Sequence, residues 1–168
     1  SVKKIEIQRL GKDGLICKDN MRADIKVAFF IRVNSEVNSV EKVAQTIGTE
    51  RASEVSTLNT LFEAKFSEAL KTVGKKFDFI DLYDSRSKFK SQILEEIGKD
   101  LNGYVLDDCA IDYLEQTPIT ALDKKNILDA EGIKKIEELT SEQEEMTNQI
   151  RRNREQTIKE QDVETIKN

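Results

Sequence analysis

The sequence predicts an α+β fold: a mainly antiparallel sheet packed with helices, followed by a long C-terminal helix. Three observations carry that expectation. Arg22 to Val33 alternates apolar and polar residues with a period of two. From Val37 onward the apolar spacing becomes helical. From Ala121 to Asn168 the chain runs without proline, with Gly132 its only glycine, and is rich in Glu, Lys, Gln and Arg.

Ser1 to Val33 reads as a strand meander. Val2 to Gln8 contains an alternating stretch, Gly11-Lys12-Asp13-Gly14 is a turn in which Asp-Gly supplies positive φ, and Lys18-Asp19-Asn20 makes a second turn. In the long strand, Ala23, Ile25, Val27, Phe29, Ile31 and Val33 point one way. Arg22, Asp24, Lys26, Ala28, Phe30 and Arg32 point the other, giving one core face and one largely polar face.

Val37, Val40, Val43, Ala44 and Ile47 then predict a helix closed by Gly48. A second helix over Thr49 to Val73 carries Val55, Leu58, Leu61, Phe62, Phe66, Ala69, Leu70 and Val73 on one side, with Gly74 as its C-cap. Phe77 to Tyr83 is a short apolar connector that plugs the core. Ser85 caps a third helix bearing Phe89, Ile93, Leu94 and Ile97, which ends between Gly98 and Gly103. Tyr104 to Thr117 is a returning strand, apolar on both faces and so expected near the middle of the sheet. Pro118 stops it, and Asp123 is the expected N-cap of the long helix. The chain thus divides into a compact part, residues 1–118, and the start of a long helical or coiled-coil region, residues 119–168.

Composition removes whole classes of function. The formal net charge is −5, Trp is absent and no arginine-rich stripe is interleaved with aromatics, so no nucleic-acid partner is expected. The basic start (Lys3, Lys4, Arg9, Lys12, Lys18, Arg22, Lys26) faces either anionic lipid or solvent. The chain has no histidine, which removes His-based nucleophile systems and His-ligated metals. Asp107 and Asp108 are adjacent on a strand and point apart. Asp78, Asp81 and Asp84 suit turns and caps better than a converging metal site. Asp123 to Glu131 resembles a calcium loop, but Lys125 and Ile127 stand where ligands are needed. Glycine-rich phosphate loops are missing as well. The expectation is a non-enzyme with no catalytic residues, cofactor, metal or small-molecule substrate. Cys17 and Cys109 lie in apolar contexts and read as buried thiols, a lipid-modified Cys17 being the alternative.

The C-terminal run, as one helix, is about 70 Å long at about 1.5 Å per residue. A heptad through Ile136, Leu139, Gln143, Met146, Ile150, Asn153 and Thr157 gives a seam of mixed quality. Ile133, Ile136, Leu139, Met146 and Ile150 are the candidate oligomerisation residues. Opposite charges at helical spacing, Glu131 with Lys135 and Glu155 with Lys159, support the helix itself. A capping-box pattern over Thr140-Ser141 and Glu144 leaves room for a break near Thr140. Two readings stay open: a solvated helix fraying after Ile150, or a helix lying beside copies of itself.

Five segments carry a family likeness. Ile5-Glu6-Ile7, the run Gly14 to Ile25 and Phe29 to Val33 resemble the SPFH (stomatin, prohibitin, flotillin) or band 7 superfamily, in which a Thr-Lys-Asp turn precedes a long strand ending in aromatic-x-Arg-Val. Here the turn reads Cys17-Lys18-Asp19. Leu82 to Phe89 is similar to the family's Asp-x-Arg helix start. Leu128 to Ile136 is similar to the opening of the tail helix in bacterial flotillin-like members. The resemblance covers nearly the whole chain in the family's order. It implies an SPFH domain whose amino-terminal part and membrane anchor lie outside this sequence, held on the cytoplasmic face. It further implies a homo-oligomeric scaffold that meets membrane lipids and membrane proteins and organises microdomains. The alternative it implies is a regulatory module enclosing or restraining a membrane protease or another membrane protein.

Overall fold

A computed structural model describes residues 2–33, 55–98 and 101–167. In order along the chain come β1 (Lys3–Arg9), β2 (Leu15–Ile16), β3 (Arg22–Val33), α1 (Val55–Gly74), α2 (Phe79–Asp84), α3 (Arg86–Ile97), β4 (Tyr104–Gln116) and α4 (Ile127–Lys167). The fold is α+β, an open antiparallel sheet with helices and a long C-terminal helix. The expected helix over Val37 to Ile47 lies outside the described residues.

β3 is the central strand. β1 and β2 run along one of its edges, while β4 pairs with Ala23 through Val33 on the other. Its alternation is as the sequence predicts: Ala23, Ile25, Val27, Phe29 and Ile31 are all buried. β4 is not central. Among the described residues it pairs only with β3, and its two-sided apolar pattern has another cause. Register shifts between Lys26 and Val27 and between Phe30 and Ile31 re-aim its side chains, so that Tyr104, Cys109 and Leu114 are buried at five-residue intervals rather than two.

Helices α1 and α3 cover one face of the sheet. Leu58, Phe62, Phe66, Ala69, Leu70 and Val73 of α1 are buried, whereas Leu61 turns away and is exposed. Phe66 packs on Phe29 of β3 with ring centroids 4.6 Å apart, and on Phe62, which meets Tyr104 of β4 edge-on at 5.3 Å. This aromatic column ties helix layer to sheet. Phe77, Phe79 and Leu82 plug the core as expected, and the connector forms a short helix from Phe79.

Capping departs from expectation at two helices. Ser85 occupies the N-cap position of α3 without a side-chain cap bond. Asp78 likewise leaves the α2 cap unmade; the Phe79 N–H donates instead to Oδ2 of Asp19, 3.3 Å away in the β2–β3 turn. In the first turn the positive φ falls at Gly11 (+61°), not at the Asp-Gly pair. Gly14 is held by space: a Cβ there would lie 2.8 Å from Thr117 Oγ1 and 3.0 Å from the Ala23 carbonyl oxygen.

Both thiols are sealed in this core. Burial, with the charges of Asp19 and Asp78, pushes Cys17 up to about 12. Burial likewise pushes Cys109 up to about 11, against the pull of Lys90. Cys17 is 1% exposed, so its sulfur is not presented for acylation.

Truncating Phe66→Ala should cost about 3–5 kcal/mol, since both the transfer free energy and the contacts across the new cavity are lost. Urea denaturation followed by circular dichroism measures it. A loss below 1 kcal/mol would show that the column does not hold the layers together.

Candidate functional site

Between β4 and α4 the chain turns through residues 117–126, and two polar clusters hold it there. Thr117 is 1% exposed; its hydroxyl donates to Asp24 Oδ1 at 2.7 Å, and its N–H donates to the Arg22 carbonyl. The same Asp24 oxygen accepts the Gly11 N–H at 2.9 Å. One carboxylate of β3 thereby joins the first turn of the chain to the start of the final connection.

The second cluster seats α4. Asn126, not Asp123, is its N-cap: Asn126 Oδ1 accepts the N–H groups of Leu128 (2.9 Å) and Asp129 (3.2 Å). Asp123 closes a local turn by accepting the Lys125 N–H. Asp129 sits in the first helical turn, 4% exposed, with Oδ1 2.7 Å from Arg22 Nε and Oδ2 accepting the Asp123 N–H at 3.0 Å. Arg22 also donates to the Gly14 carbonyl at 3.1 Å. Burial works to raise the Asp129 pKa, but the Arg22 hydrogen bond, the Asp123 N–H and the Arg22 charge together outweigh it. The carboxyl therefore titrates below its ordinary range.

One turn later Gly132 lies on the β2–β3 turn. A Cβ there would come within 2.4 Å of the Asn20 carbonyl oxygen. Asn20 has positive φ (67°) and its neighbour Asp19 braces the turn by accepting the Met21 N–H. Ile136 completes the seat as a member of the hydrophobic core, with Leu122 and Leu139 packed against it.

The candidate oligomerisation residues consequently fall in two groups. Ile136 is buried, while Ile133 and Leu139 are half-buried against the chain's own domain. Met146 and Ile150 are each 58% exposed, and Ile158 and Val163 further along are exposed too. The helix runs unbroken through Thr140 for 41 residues, about 60 Å. Roughly its first three turns are docked and the rest projects. The sequence marked the stripe but not this division. The signal available for it was Asp129 and Gly132, a buried acid and a missing side chain one turn apart on the docked face.

The acids weighed as a chemical site are placed apart and used elsewhere. Asp107 pairs with Arg32 of β3 at 2.9 Å, and Asp108 pairs with Lys90 of α3 at 3.0 Å. Among the described residues no His, Cys, Asp or Glu group could hold a metal ion, and no helix is long and apolar enough to cross a membrane.

Comparison with known proteins places these features in a family. Residues 1–143 match the model of the SPFH domain / Band 7 family. The chain is 37% identical over 163 residues to the flotillin family inner membrane protein YqiK of Escherichia coli (strain K12), covering 96% of this chain and 28% of that protein. It is 24% identical over 132 residues to the flotillin family inner membrane protein sll1021 of Synechocystis sp. (strain ATCC 27184 / PCC 6803 / Kazusa), covering 77% of this chain and 19% of that protein. The chain spans less than a third of the length of either relative.

Two predictions follow from the seat of α4. In a free helix Gly→Ala stabilises by about 1 kcal/mol. Here Gly132→Ala should instead destabilise by about 1–3 kcal/mol, because the Asn20 backbone must move. Faster hydrogen exchange across residues 127–139 would register it, and unchanged protection would refute it. The Asp129 contribution should be present above the ordinary carboxylate pKa and lost as pH falls through the lower folded value. Thermal melts from pH 7 to pH 2 should therefore show a stability slope in acid that Asp129→Asn flattens; an identical slope in the variant would remove Asp129 as its source.

Proposed function

The chain belongs to the SPFH domain / Band 7 family, and on that premise we propose that it is part of a non-enzymatic, membrane-associated scaffold. Residues 1–118 form its compact domain, lying on the cytoplasmic face, and residues 119–168 begin its helical assembly region. Copies of the protein associate through α4 into a large homo-oligomer that organises membrane microdomains and the membrane proteins within them. Both relatives carry inner-membrane, flotillin-family names, which supports the membrane part of this reading.

The observation that carries the assembly part is the split of α4. Its first turns are spent on the domain, and its continuation presents Met146, Ile150, Ile158 and Val163 to solvent. An isolated helix this polar gains little from its own propensity, and a neighbour alongside it supplies the burial it lacks.

Light scattering on the native full-length protein, extracted in mild detergent, tests the reading. The expected mass is many times that of one chain. Replacing Met146, Ile150 and Ile158 with Ser should lower it by at least a factor of several while the domain stays folded by circular dichroism. A monomeric native protein would sink the proposal. Co-purification of one dominant membrane protease would favour the regulatory alternative over a general scaffold.

A further inference from the structure

Along the exposed part of α4 the charges are distributed by flank as well as by position. At about 100° per residue, Lys135, Glu142 and Glu145 share one flank, spanning about 80°. Glu144, Arg151 and Arg154 share the opposite flank, about 180° away. Lys135 is half-buried near the docked end, and the other five are exposed. Among the described residues none of the six forms an ion pair within the chain. Arg151 reaches only the side-chain oxygen of Asn148, at 3.0 Å.

Two copies lying parallel and in register, flank against opposite flank, would set Glu145 beside Glu144 of the next copy. Like charges placed so are repulsive, and they act against that register. Sliding the next copy by about nine residues, roughly 13 Å, changes every pairing at once. Lys135 then meets Glu144 of the next copy, Glu142 meets its Arg151, and Glu145 meets its Arg154. All three are complementary.

We propose that α4 recognises a second copy of this chain through that offset, side by side and parallel. The proposal rests on the assembly reading above, which places every domain on the same side of a membrane and so requires parallel helices. The two flanks differ, so the contact is heterologous: each copy offers its second flank to another, and the series grows until it closes or continues as a filament. Exposed ion pairs contribute modestly to affinity, so their role here is to select register and orientation.

Charge reversal in the native full-length protein tests this by light scattering at low salt. Glu142→Lys with Glu145→Lys sets cations against Arg151 and Arg154, and Arg151→Glu with Arg154→Glu sets acids against acids. Each pair should lower the assembled mass severalfold, and the four substitutions together should restore it. Interchain disulfide trapping reads the register. A Glu145→Cys, Arg154→Cys chain should crosslink between copies, whereas a Glu144→Cys, Glu145→Cys chain, whose two positions meet in the in-register pair, should not. Assembly unchanged by either charge pair, no rescue by the combination, or efficient interchain crosslinking of the Glu144→Cys, Glu145→Cys chain overturns the offset while leaving assembly itself intact. A monomeric native protein overturns both.

Discussion

The fit between the β2–β3 turn and the first turns of α4 is the constraint on which the rest of the molecule depends. Asn20 presents a carbonyl where Gly132 offers no side chain, and Arg22, two residues on, holds Asp129 in a nearly dry ion pair. A buried ion pair is weak evidence of net stability, because desolvation offsets much of the attraction. Its value here is geometric: Asp129 has one place where both of its oxygens are satisfied, and that place fixes the start of the helix. Asp19 of the same turn caps α2, and the Lys18 N–H donates to the Phe77 carbonyl. One five-residue turn therefore sets the positions of three later segments.

Much of the domain was legible in its sequence because burial there follows simple periods. β3 alternates except at Ala28, which is buried on the opposite face, and α1 carries its core residues three and four apart, so both could be located from pattern alone. β4 resisted the same logic. Its register shifts insert extra residues opposite β3, which turns a period-two rule into an interval of five and imitates a strand buried on both sides. Caps were also misassigned in consistent fashion. Ser85, Asp78 and Asp123 had suitable chemistry at suitable places, but Ser85 makes no cap bond, and Asp19, about sixty residues upstream of Asp78, and Asn126, three residues after Asp123, made the other two.

The candidate site divided along the same line. The apolar stripe of the tail is local in sequence and was read directly. Its partition into a docked start and a longer projecting part depends on Asp129 meeting Arg22 and on Gly132 meeting Asn20, contacts more than a hundred residues apart in the chain. Asp129 belonged to an apparent calcium loop and Gly132 was merely the one weak helix former in a long run. Each acquires its meaning only against the turn it touches.

The docked length of α4 also sets its aim. Asp129 and Ile136 are its outermost firm attachments, separated by about 10 Å along the axis, while the helix as a whole extends about 60 Å. It is a lever held near one end. Each degree of tilt at the seat moves the far tip by about 1 Å, so a displacement of about half an ångström at Ile136 becomes about 2.5 Å at Val163. The direction in which the chain points this arm is set by the packing of one isoleucine and one carboxylate.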